Sequence, residues 1–156
     1  MQDKFPPQLK PEDGTLVGCF ISRWISYYYT TKVFIKRQAH ADELGVDIYG
    51  NPCIRPYIAN RLRNKAAALQ YLTKHTNIPV PNFLDLWEDN GLVYLKTAIV
   101  HGGIELGQIS KLLLPAAVEA VTAQLTSTIL PQLRCLRRGF LRGPDPRLPL
   151  IPPQRL

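Results

Sequence analysis

From Leu16 to Arg37 the chain is rich in Tyr, Trp, Ile and Val, with Thr30-Thr31 as a turn, and this predicts two or three antiparallel strands. Alternation along the last of them sends Val33 and Ile35 to one face and Phe34 and Lys36 to the other. The period then changes. Across residues 57–75, Ile58, Leu62, Ala66, Leu69 and Leu72 recur at helical spacing around Ala66-Ala67-Ala68, which predicts a helix. Ile78-Pro79-Val80-Pro81 ends it and forces an extended entry into the next strand. Phe83 to Glu88 and Leu92 to Val100 read as two strands joined across Asn90-Gly91, a type I′ hairpin signal. Residues 38–56 hold Gly45, Gly50, Pro52 and Pro56 and read as an insertion loop between strand and helix.

A second helical stripe, Val118, Val121, Leu125, Ile129, Leu133 and Leu136, runs through residues 115–138. Pro115 suits a first helical position, and Pro131 is expected to kink the helix. From residue 139 to 156, Pro144, Pro146, Pro149, Pro152 and Pro153 exclude a helix or a central strand. The elements sum to an α+β fold. At 156 residues, 46% hydrophobic and 20% charged, the chain has the material for one core.

Composition narrows the setting. No apolar run is long enough to cross a bilayer and no charged-then-apolar leader opens the chain, so a cytoplasmic location is expected. Cys19, Cys53 and Cys135 are odd in number and lack C-x-x-C spacing; they read as reduced core thiols, with no zinc site or disulfide frame. The net charge of +7 gathers in Arg134, Arg137, Arg138, Arg142, Arg147 and Arg155, against Asp145 alone. A basic module for RNA or an acidic protein is one reading of that tail, although no motif that reads nucleic acid accompanies it.

The candidate chemistry sits at Val33-Phe34-Ile35-Lys36, where a lysine leaves an apolar strand on the face opposite its packing neighbours and can meet phosphates. A solvated strand end has the same four residues. The wider order is more informative. VFIK at 33–36, RNKAAALQYL at 63–72, HTNIPVP at 75–81 and DNGLVYLKT at 89–97 together resemble the small lobe of the aminoglycoside phosphotransferase-like family, relatives of protein kinases, and its fungal members most closely. The resemblance implies a kinase-like small lobe over 14–101 after a flexible lead-in at 1–13. A hinge linker and the first helix of a large lobe would occupy 102–138, with a Pro/Arg-rich tail at 139–156. It implies ATP as the ligand, Lys36 as the phosphate-binding lysine, and Thr97-Ala98-Ile99-Val100 as the hinge, where backbone groups of Ala98 and Val100 meet an adenine. Gly14 and Gly18 fit no strict G-x-G-x-x-G and read as turn glycines.

Three departures from the family pattern shape the functional expectation. Lys65 stands where the family's helix carries a Glu that pairs with the strand lysine. It lies seven residues after Ile58, three after Leu62 and four before Leu69, within the apolar stripe, so it either faces Lys36 or snorkels outward past the stripe. Phe34 replaces a small residue and narrows the adenine slot. Last, no catalytic Asp, Asn or metal-binding Asp follows the hinge; His40-Ala41-Asp42 is upstream of the helix, and Asp85-Leu86-Trp87-Glu88 reads as a strand with a charged end. The expectation is a truncated or degenerate phosphotransferase-like domain that binds ATP weakly at Lys36, Phe34, Lys65, Thr97, Ala98 and Val100, with no catalytic residue and no metal site. Its rival is a fragment of an active enzyme whose second lobe comes from a longer product or a partner chain. Helix 115–138 would then leave an apolar patch to be hidden by self-association or by that lobe.

Overall fold

A computed structural model describes residues 6–22, 24–53, 57–104 and 106–136. The Arg- and Pro-rich stretch from residue 137 onward, where most of the expected basic tail falls, lies outside the described residues. Strands β1 (Leu16–Ile21), β2 (Ile25–Thr30), β3 (Val33–Gln38), β4 (Phe83–Asp89) and β5 (Leu92–Ala98) form one antiparallel sheet in the order β1-β2-β3-β5-β4. Helix α1 (Ile58–His75) joins β3 to β4 and packs on β3, β4 and β5. The fold is α+β.

The local chemistry explains the turns. At the β2–β3 corner the Thr30 hydroxyl accepts the amides of Lys32 and Val33, at 3.0 and 2.9 Å, and closes a two-residue connection. That connection sets the register Tyr27↔Lys36, Tyr28↔Ile35 and Tyr29↔Phe34. Asn90 and Gly91 both have positive φ, 50° and 73°, as a type I′ hairpin requires. Strand β5 ends at Ala98, two residues sooner than the sequence pattern suggests, although the Ile99 amide still bonds the Lys32 carbonyl at 3.0 Å in the register of the β3–β5 pair.

Alternation divides the sheet into two faces. The inner face, beneath α1, is cored by Val93 and Leu95 of β5 with Leu62 and Ala66 of α1, flanked by Ala59, Phe83 and Leu86. The outer face buries Tyr28, Val33, Ile35, Leu92 and Tyr94, with Leu9 and Trp87 against them. Residues 6–13, part of the expected flexible lead-in, are docked here: Asp13 is buried and its carboxylate grips Lys96 at 2.8 Å through both oxygens. The insertion loop is anchored likewise. Arg37, fully buried, gives two hydrogen bonds of 2.7 and 2.8 Å to Glu43 and others to Tyr28 and Ser26 hydroxyls.

The second helical stretch continues as α2 (Leu114–Gln124), a wider π turn over Leu125–Ile129, and α3 (Leu130–Cys135). The turn before Pro131 is wider than an α-helical one. Pro131 has no amide hydrogen and its ring crowds the carbonyl four residues back, so the turn before it opens, and Thr126 and Ser127 hydroxyls bond the carbonyls of Thr122 and Ala123. No residue of these three segments is buried. Of the predicted stripe, Val118, Val121, Leu125 and Leu133 are exposed, and α3 is tied to the rest through Gln132, whose side-chain carbonyl accepts the Asn77 amide at 2.7 Å. The cysteines are free, but Cys19 and Cys135 are exposed and Cys53 half-buried, which corrects the reading of them as core thiols. Cys19 falls on an edge strand, and Cys135 on a helix with no buried face. No helix among the described residues is long and apolar enough to cross a membrane.

Candidate functional site

The inner face of β1, β2 and β3 holds an aromatic row beside two cations. The strand register places Phe20, Tyr27, Lys36 and Leu95 across from one another on neighbouring strands. Phe20 stacks on Tyr27 with ring centroids 4.4 Å apart at 12°, and Tyr27 meets Phe34 at 5.9 Å. The Lys36 ammonium lies 5.4 Å from the centroids of both Tyr27 and Phe34. It is thus held against two ring faces, which favour a cation, but it has no carboxylate partner among the described residues.

Lys65 closes the site from α1. Its side chain is exposed, so the lysine leans outward along the stripe, yet its positive charge still acts on the strand residue. Burial pushes the Lys36 amine down to about 8, and the positive charge of Lys65 adds to that. Glu88, the carboxylate that β4 contributes to this face, is taken by Arg63 of α1 at 2.7 Å. The site is therefore electropositive, half-dry and walled by rings: an arrangement for an anion with a flat apolar body.

The other expected residues fall into two groups. Thr97 pairs with Phe34 across β3–β5, is buried, and donates its hydroxyl to the Phe34 carbonyl at 3.4 Å, so it joins Phe34, Lys36 and Lys65 on the inner face. Ala98 and Val100 lie at the strand end and beyond. The Ala98 amide is committed to the Asn82 carbonyl at 2.9 Å, which leaves only its carbonyl for a ligand, and Val100 is 66% exposed. Gly14 (φ 82°) serves a turn against Thr31, whereas Gly18 lies inside β1 under the Tyr29 ring, where a side chain would collide. Neither is in the β1–β2 connection, which follows Ile21. His40 and Asp42 belong to a short capped turn in which the His40 ring accepts the Asp42 amide.

Sequence reasoning missed Tyr27, whose ring forms one wall beside Lys36. The signal was present: once Thr30-Thr31 is placed as a tight turn, the register carries Tyr27 opposite Lys36. A separate cleft of about 520 Å³, lined by Tyr71, His75, Pro131, Gln132, Cys135 and Leu136, lies between the end of α1 and α3. Among the described residues no group of three or more His, Cys, Asp or Glu side chains gathers as a metal site would need. Comparison with family models, with curated proteins and with solved structures gives no match to this chain.

Proposed function

We propose that this chain is a kinase-like small lobe with the first helix of a second lobe, that it binds a nucleotide such as ATP weakly at Lys36, and that it does not transfer phosphate by itself. The observation that carries the reading is Lys36 on the central strand β3, on the sheet face beneath α1, where the positive charge of Lys65 acts on it. A lysine so placed supplies charge for phosphates, and a carboxylate on the helix would hold it in register. Here a second cation stands instead.

The reading predicts a particular binding signature. With two lysines in place of a lysine and a metal, ATP affinity is weak and little changed by magnesium, and Lys65→Glu combined with Phe34→Ala tightens it by restoring the ion pair and widening the slot. Calorimetric titration of ATP, with and without magnesium, tests this; micromolar, magnesium-dependent binding to the unmodified chain, or magnesium-dependent turnover above a Lys36→Ala control, contradicts it. A second reading, in which a partner chain supplies the missing lobe, is favoured by one observation: Val118, Val121, Leu125 and Leu133 stand exposed along one helical stretch.

A further inference from the structure

Charge is divided by element. Strands β1, β2 and β3 and helix α1 contain no Asp or Glu, yet they carry Lys36, Arg37, Arg61, Arg63, Lys65 and Lys74. Glu43 and Glu88 take Arg37 and Arg63. Because Arg63 reaches β4 to meet Glu88, the flank of α1 across the apolar stripe from it, with Arg61 and Lys65 one turn apart, faces β3 and the ring row. Both are exposed, and neither has a carboxylate partner among the described residues. The ring row itself ends in open surface. Phe20 gives one face to Tyr27; it stands on the edge strand β1, is 52% exposed, and has no ring beyond it among the described residues. Gly18, two residues earlier, has no side chain, and the Tyr29 ring lies over it on the same face. At the other end Lys36 lies against Tyr27 and Phe34, whose ring faces favour its ammonium. Phe20 and Lys36 are two strand spacings apart, about 10 Å, and the line continues to the cations of α1.

We propose that this end of the inner face binds a single strand of nucleic acid, one base stacking on the open face of Phe20 and the backbone running over Lys36 toward Lys65 and Arg61. A ring face stacks with any base, and cations in line beside it neutralise successive phosphates; single-stranded nucleic acid presents both groups at once. An acidic peptide would meet the cations and leave the Phe20 face unused, and a duplex keeps its bases within its own stack. Stacking and charge do not read the 2′-hydroxyl, so RNA and DNA strands are expected to bind alike. The inference goes beyond the nucleotide reading: it shares Lys36 and Lys65 with it and rests on Phe20 and Arg61, which that reading does not use.

A fluorescein-labelled RNA dodecamer is the probe, titrated with the full chain by fluorescence anisotropy over a series of salt concentrations. Phe20→Ala is expected to weaken binding roughly tenfold at every salt concentration. Arg61→Gln with Lys65→Gln should weaken it too, and should lower the slope of log affinity on log salt by about 0.7 for each cation removed. A DNA strand of the same sequence should bind within a few-fold of the RNA, and the duplex and polyglutamate about tenfold more weakly or worse. Equal binding by the duplex or by polyglutamate, or indifference to Phe20→Ala, overturns the proposal. The unmodified chain gives an independent reading should a variant fail to fold. A strand carrying 5-iodouracil should photocross-link to Phe20 or Tyr27, as mapped by peptide mass spectrometry, and cross-links confined to residues from Arg134 onward overturn the proposal. Strand binding without ATP binding refutes the nucleotide reading and leaves this one standing; ATP binding without strand binding does the reverse.

Discussion

The two faces of one five-stranded sheet treat charge in opposite ways. On the outer face Lys96 and Arg37 are buried among Tyr28, Ile35 and Tyr94, and each is matched by a carboxylate, Asp13 and Glu43, brought in by a segment outside the sheet. On the inner face the positive charge of Lys65 bears on Lys36, and no carboxylate among the described residues pairs with Lys36. Buried cations that serve the fold are compensated, because an unpaired buried charge costs several kcal/mol. The like-charged pair on the inner face has no such compensation among the described residues, and the nucleotide reading rests on it. The same contrast separates the two helical stretches. Helix α1 buries Ile58, Leu62, Ala66 and Leu69 against the sheet, whereas residues 114–135 bury none.

Removing the acids should break the comparison most sharply. Glu43→Ala leaves Arg37 buried without its bidentate partner, and Asp13→Ala does the same to Lys96; each is expected to cost about 3–5 kcal/mol in urea unfolding. Lys36→Met, on the other face, should be neutral or stabilising by about 1 kcal/mol, because it removes a repulsion instead of a pair. If Lys36→Met destabilises as much as Asp13→Ala, the inner-face lysine is structural. Acid adds a second test of the outer face. Burial raises the Asp13 carboxyl, but the bonds from Lys96 and the Lys10 amide and their charges outweigh it and set the group below its ordinary range. A folded value below the unfolded one contributes stability at neutral pH and loses it as pH falls below about 4. Asp13→Asn should therefore flatten the acid limb of the stability profile; an unchanged limb would mean that other carboxylates set it.

A smaller effect is expected at the exposed helical stretch. Val118, Val121, Leu125 and Leu133 form an apolar strip with no cover among the described residues, and such strips drive association. Light scattering should find dimers or larger species that Val121→Lys with Leu125→Lys disperses. A strictly monomeric parent chain that takes up no hydrophobic dye would show that the strip is satisfied within the chain.

How much of this was legible beforehand differs between the faces for a physical reason. The inner face follows from local rules: alternation places Phe34 and Lys36 together, helical spacing puts Lys65 in the stripe that faces the sheet, and the Asn90-Gly91 turn sets the β4–β5 hairpin. Tyr27 was within reach of the same rules through the Thr30-Thr31 turn. The outer face follows from pairs that no local pattern reveals. Asp13 meets Lys96 from 83 positions away, and nothing in an isolated Arg37 or Glu43 announces that both will be buried. Exposure of residues 114–135 was equally hidden, because an apolar stripe announces that it needs a partner and not which surface supplies one.

The central claim is that Lys36 has no compensating acid among the described residues and has lost affinity for its proton to burial and to Lys65. Its ionisation can be followed directly, by titrating the carbon next to the amine in a chain labelled with ¹³C-lysine and assigning the signal through Lys36→Arg. The account predicts a midpoint near 8 that rises when Lys65 is replaced by Gln. A Lys36 midpoint at the ordinary lysine value of about 10.4, unmoved by Lys65→Gln, would contradict it.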